Sequence, residues 1–214
     1  MHTVSLAAQA RRAPLVLLVL VFGAAGALLV EWQPALVHWF TLQDFYPAGD
    51  GRARFTSISD MLAQGQYWRL VTPAFLHFGL LHIVFNGLWV WEFGRRIEWQ
   101  SGSLGFLLLF MLIAVGSNLG QYLWSGPSLF GGLSGVVYGL LGYVWLRGLL
   151  APHPLLMIPR GIILFMLAWL VLCLVGVIDL FLDGGVANGA HVAGLAVGIV
   201  LGAVAGLRAQ RNSQ

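Results

Sequence analysis

The sequence predicts an all-α membrane protein, a bundle of six transmembrane helices with a large interfacial loop between the first two. Three observations carry this. Of 214 residues, 59% are apolar and 9% charged, where a soluble domain has about a quarter of its residues charged. Six stretches of about 20 apolar residues punctuate the chain. The arginines gather at one set of their ends. This composition, with a mean hydropathy of +0.85, excludes a disordered chain, a collagen-like chain and an ordinary soluble enzyme. The single Cys173 excludes a disulfide framework and a cysteine zinc site. A net charge of +3 is too weak on so apolar a chain to suggest a nucleic-acid partner.

The first span runs from about Pro14 to Val30, after a short tail of residues 1–13 that ends on Arg11 and Arg12. Read as a signal peptide, this region would be cleaved and leave five spans with the two ends on opposite sides, a less economical arrangement. The loop from Glu31 to Phe75 is the largest piece between spans. Its aromatics, Trp32, Trp39, Tyr46, Tyr67 and Trp68 among them, place it in the headgroup layer, either as an anchor alone or with a function. The second span covers about Leu76 to Phe93, the third Leu104 to Trp124, the fourth Ser134 to Leu150, the fifth Gly161 to Phe181 and the sixth Asn188 to Leu207. Residues 14–207 thus form one core, and 208–214 a second tail. Arg11, Arg12, Arg95, Arg96, Arg147, Arg160, Arg208 and Arg211 all fall on one side of this topology. That side is cytoplasmic by the positive-inside rule, and both termini lie there.

Polar residues inside spans are costly and mark candidate sites. Gly132-Leu133-Ser134-Gly135 opens the fourth span. Gly-x-Ser-Gly alone is a weak motif, equally a glycine-rich helix start with Ser134 as its cap. Its context is stronger, because a glycine loop entering a helix can aim backbone N–H groups at an oxyanion. His191 opens the sixth span, followed by Gly194, Gly198, Gly202 and Gly206. This small-xxx-small stripe matches Gly135, Gly139 and Gly142 on the fourth span and lets two helices meet backbone to backbone. Such packing brings Ser134 and His191 into register, both roughly 20–25 Å from the cytoplasmic surface at 1.5 Å per residue. A serine and a histidine at equal depth can form a nucleophile–base pair. His82 and Asn86 share one helix face and can donate to an oxyanion or bridge helices. His77, placed about 140° away on an ideal helix, is expected to tie down the loop end. Asp179, Asp183 and Glu92 are poorly placed to complete a triad. Tyr138, one turn below Ser134, is placed to stack on His191 or to fill the core.

Trp68-Arg69, then His77, His82 and Asn86 in the spacing HxxxxHxxxN, then Gly132–Gly135 with Tyr138, then His191 with Gly194 and Gly198 form an ordered set. From about Trp68 to Leu207 it resembles the rhomboid intramembrane serine proteases, in particular the bacterial GlpG type with its six-helix core. The resemblance implies a Ser134 nucleophile and a His191 general base. It implies an oxyanion hole from His82, Asn86 and the backbone N–H groups of Ser134 and Leu133, with Tyr138, Gly132 and Gly135 in support. It further implies a bacterial inner-membrane enzyme without cofactor or metal, whose site opens to the periplasm. Its partners would be the lipid bilayer and transmembrane protein substrates, with oligomeric state left open. Residues 182–186 would cap the site, and Trp169 is a candidate gate residue on the loosely matching fifth span.

Two other readings compete. A non-catalytic relative that only binds membrane clients would lack the serine or the histidine, and this chain has both. A small transporter using the histidines would show paired broken helices, yet no internal repeat is present and Ser134 and Asn86 would have no role.

Overall fold

In the computed structural model, residues 6–48, 52–180 and 185–212 are described. The chain is mostly helical. Among the described residues, four helical stretches are long and apolar enough to cross a membrane: Pro14–Trp32, Leu80–Ser125, Pro154–Leu174 and Asn188–Arg211. The apolar helix Ser134–Leu150 is shorter, with 17 residues. Burial is inverted relative to a soluble protein at the outer faces. Leu81 is 84% exposed and Leu180 80%, while Phe93, Ile97, Phe106 and Ile113 are fully enclosed.

α1 (Leu6–Arg11) leads into α2 (Pro14–Trp32). Pro14 occupies the first helical turn, where its missing N–H costs nothing. The next two N–H groups, of Leu15 and Val16, donate to the Glu98 carboxyl at 3.1 and 2.9 Å, and the Ser103 hydroxyl donates to it at 2.6 Å. A side chain 82 residues downstream of Val16 therefore caps α2. Glu98→Ala is expected to lower stability by about 2–3 kcal/mol, since it strands buried donors, and Glu98→Gln by less. Thermal unfolding of the purified variants checks both the loss and its order.

Between α2 and the helix that starts at Leu80 the chain folds into a tight ledge rather than an open loop. A 3-10 turn (Pro34–Trp39) is followed by an antiparallel hairpin of β1 (Phe45–Pro47) and β2 (Ala53–Phe55), with Phe45 opposite Phe55. Then come α3 (Ile58–Ala63), which Ser57 caps by accepting from the Asp60 N–H at 3.0 Å, and two further 3-10 turns. Arg69 is fully buried at its centre. It donates to Gln66 Oε1 at 2.6 Å, to the His38 carbonyl and to the Thr41 carbonyl at 3.1 Å, and it faces Asp44 at 3.7 Å. Burial pulls the Arg69 guanidinium pKa down, and Asp44 opposes that shift.

α4 (Leu80–Ser125) differs from the sequence expectation at both of its critical points. The helix starts at Leu80, after Gly79 at φ 130°, so His77 lies in the turn before it and not on a helical face. Helical structure also runs straight through Arg95 and Arg96 to Gly102, where φ 74° and ψ 167° interrupt it. Glu92 stabilises this extension by pairing with Arg95 at 2.6 Å and Arg96 at 2.5 Å, three and four residues on. Only glycine takes such a φ without strain. Here it turns the chain back on itself. Asn86 from the first half and Ser117 from the second both lie at the level of Gly132–Gly135.

α5 (Ser134–Leu150), α6 (Arg160–Leu174) and α7 (Asn188–Arg211) complete the bundle. α6 ends before the expected Phe181, because Gly176 at φ 77° breaks it and a 3-10 turn follows. Residues 182–184 of the expected capping loop lie outside the described residues. α5 and α7 meet along the glycine stripe. A Cβ on Gly194 would fall on the Gly135 carbonyl oxygen, and one on Gly198 on the Gly139 carbonyl oxygen; one on Gly202 would lie 2.7 Å from the Tyr143 carbonyl oxygen. The two backbones are in contact, as the matching glycine faces require.

Candidate active site

Each part of the site is positioned by a different element. Gly131 and Gly132 bring the chain into α5. The Gly132 N–H donates to the Pro73 carbonyl at 3.0 Å, and φ 122° at Gly132 admits no ordinary side chain. A Cβ there would also lie 2.7 Å from His82 Nε2 and 3.7 Å from Asn86 Nδ2. His82 and Asn86, one turn apart on α4, thus flank the loop just before Ser134. The Asn86 side-chain N–H₂ is buried and has no acceptor among the described residues. A buried donor left open is costly, and it is what an oxyanion site needs.

Ser134 is the first residue of α5, not its cap. Leu133 precedes it without any side-chain capping bond. The Ser134 hydroxyl instead meets His191 Nε2 at 2.8 Å, across 57 residues of sequence. His191, in the first turn of α7, is 5% exposed. Two neighbours hold it in place. The Tyr138 ring packs against the imidazole with centroids 4.9 Å apart and a 42° tilt, and the Tyr138 hydroxyl donates to the Met166 carbonyl at 3.1 Å. Gln121 Oε1 accepts from the Ala190 N–H at 3.0 Å, fixing the end of α7 to α4. In the sequence, Gln121 is marked only as a polar residue near the end of the third span.

If Nε2 accepts from the serine hydroxyl, the imidazole proton resides on Nδ1. That nitrogen is buried and has no partner among the described residues. Asp179 accepts from the Val186 N–H at 2.8 Å, and Glu92 is engaged by Arg95 and Arg96. Asp183 lies outside the described residues. The chemistry available is that of a two-residue nucleophile–base pair beside an open donor.

Leu133 departs from expectation. Its backbone N–H, counted among the oxyanion donors on the sequence, donates to His77 Nε2 at 3.2 Å. His77 in turn donates from Nδ1 to the Phe75 carbonyl at 2.9 Å. The histidine does tie down the loop end, and it also takes the Leu133 amide out of the site. Its ring lies edge-on to His82, with centroids 5.0 Å apart. On the flank, Trp169 of α6 packs on Phe85 of α4 at 5.4 Å, and Phe165 on Trp89 at 6.1 Å.

A comparison with known families matches the rhomboid domain over residues 64–208. The chain belongs to the rhomboid family. The match covers α4 to α7, the serine, the histidine and the flanking donors, and stops short of α1 and α2. Rhomboid proteins are multi-pass membrane proteins and generally serine proteases that act on membrane proteins, though rhomboid-like members without activity exist.

Proposed function

We propose that this rhomboid protein is an intramembrane serine endopeptidase that cleaves peptide bonds in or near transmembrane helices. The observation that carries the reading is the 2.8 Å contact between Ser134 and His191, beside the unsatisfied Asn86 donor. Ser134 Oγ attacks the scissile carbonyl carbon as His191 Nε2 takes its proton. The oxyanion is held by Asn86 Nδ2, by His82 Nε2–H and by the Ser134 N–H, which as a first-turn amide has no helical acceptor. On collapse, the C–N bond breaks and the imidazolium gives its proton to the leaving amine. Water then attacks the acyl-serine with His191 again as base, releasing the acid and restoring the hydroxyl.

Six crossings fit this reading. A straight 46-residue α4 would span about 69 Å at 1.5 Å per residue, more than twice a ~30 Å hydrocarbon core. The break at Gly102 makes two crossings of it. Both termini are then cytoplasmic, and the dyad opens toward the periplasm of a bacterial inner membrane. α5 begins below that surface, so water reaches Ser134 from the near side. A transmembrane substrate enters from the lipid, past the ring contacts between α4 and α6.

Labelling of the detergent-solubilised protein by a fluorophosphonate probe tests the proposal. The wild type should label and Ser134→Ala should not. A wild type that stays unlabelled while an unrelated membrane serine hydrolase labels in the same extract overturns it. Asn86→Ala and His82→Ala should lower kcat more than KM, by about 10²-fold, because their bonds strengthen only as the oxyanion forms. Steady-state kinetics on a fluorogenic transmembrane substrate separates the two constants. An effect confined to KM would reassign the pair to substrate binding.

A further inference from the structure

We propose that the arginine-rich end of the molecule holds a site for the phosphate of an anionic phospholipid headgroup, between α1 and the end of the first half of α4. A cavity of about 230 Å³ lies there, lined by Gln9, Arg12, Arg95 and Trp99. All four side chains carry N–H donors, and no carboxylate lines the cavity among the described residues. Arg95 is held firmly. Its guanidinium donates to Glu92 Oε2 at 2.6 Å, reaches Gln9 Oε1 at 3.4 Å and sits over the Trp99 and Trp91 rings at 5.3 and 5.9 Å. A guanidinium fixed in this way loses little freedom on binding an anion. Its Nε–H, and the Nε1–H of Trp99, are buried without an acceptor among the described residues. Arg12 is exposed and makes no ion pair among the described residues.

The position selects a lipid over free phosphate. Arg12 lies two residues before Pro14, where α2 begins, and Arg95 and Trp99 lie in the last turns before Gly102. The cavity is therefore at the polar ends of the spanning segments, the level of headgroup phosphates, where tryptophans also settle. Basic pockets at that level between spans take anionic headgroups. An apolar crevice of about 210 Å³, lined by Leu15 and Leu18 of α2 and by Phe106 and Phe110 of α4, starts one turn further along α2. It offers an acyl chain a place that inorganic phosphate does not use.

Native mass spectrometry of the full-length detergent-solubilised protein with added phosphatidylglycerol or phosphatidylcholine tests this, with inorganic phosphate as a third arm read by thermal shift. Phosphatidylglycerol should be retained in preference to phosphatidylcholine. Arg12→Gln should weaken its retention roughly five-fold, the effect of one surface arginine, and Arg12→Glu further. Arg211→Glu, an exposed charge on the same side but away from the cavity, should change nothing. Arg95→Gln should abolish the preference. Because that variant also loses the Glu92 pair, Arg12 carries the decision. Equal retention of the two lipids, unchanged retention in Arg12→Glu, or stabilisation by inorganic phosphate equal to that by phosphatidylglycerol overturns the proposal.

Discussion

Ser134→Ala and His191→Ala are each expected to reduce cleavage of a transmembrane substrate by about 10⁴-fold or more, while the protein still inserts and folds. Ser134 is the one hydroxyl bonded to His191 Nε2 among the described residues, and on the proposed mechanism Ser134→Ala removes the nucleophile. The hydroxyl is half-buried and makes no other hydrogen bond among the described residues, so melting should stay within a degree or two of wild type, as expected when no buried partner other than the imidazole is stranded. His191→Ala removes the base and leaves the serine protonated at the moment of attack. It also empties the space under the Tyr138 ring, so some stability is lost with the activity. The double variant should be no worse than either single one, because the two side chains act as a unit. Purified protein in lipid vesicles with a fluorogenic substrate measures all three. More than a few per cent residual activity in Ser134→Ala would sink the mechanism.

Gly198→Ala is expected to cost activity almost as heavily as loss of a catalytic group, and Gly198→Val to abolish it. The added methyl falls on the Gly139 carbonyl oxygen, which is backbone and cannot rotate away. α5 and α7 must separate, and Ser134 moves off His191. A misplacement near 1 Å can cost about 10²-fold. Gly202→Ala should be milder, because its nearest atom is 2.7 Å from the new carbon and lies two turns nearer the arginine-rich end than the Gly194–Gly135 contact. The order of activities, wild type above Gly202→Ala above Gly198→Ala, is the observable. Wild-type activity in Gly198→Val would mean that the two helices do not meet on this face.

The same stripe explains why the register of the site was legible. Glycines at 135, 139 and 142 and at 194, 198 and 202 admit few pairings of two helices, and the pairing that nests them sets Ser134 against His191. Tyr138 followed, since a residue one turn down from the serine faces the same groove. Hydropathy located α2, α5 and α7 within a few residues, because lipid contact leaves long apolar runs in the chain. It failed where structure depends on a single backbone angle. Gly79, Gly102 and Gly176 all have positive φ and set the ends of helices that hydropathy extends or shortens. The β1–β2 hairpin escaped notice because three-residue strands carry too little alternation to register. The occupied Leu133 amide could not be foreseen either. It depends on His77 standing in a turn before α4, whereas a helical reading of the HxxxxHxxxN run points its ring elsewhere.

The separation of Ser134 from His191 by 57 residues also fixes when in the life of the chain the site can exist. On the proposed mechanism, synthesis delivers the nucleophile with α5, then α6, and only after these α7 with the base. A nascent chain emerging at about 5–20 residues per second carries an unactivated serine for several seconds among the other nascent proteins of the same membrane. Hydrolytic competence would then arrive with the docking of α7, whose glycines close on α5 as a ratchet closes on its final tooth. On that mechanism a chain that stalls before residue 188 is expected to be inert, unable to attack its neighbours, or itself, before α7 has docked.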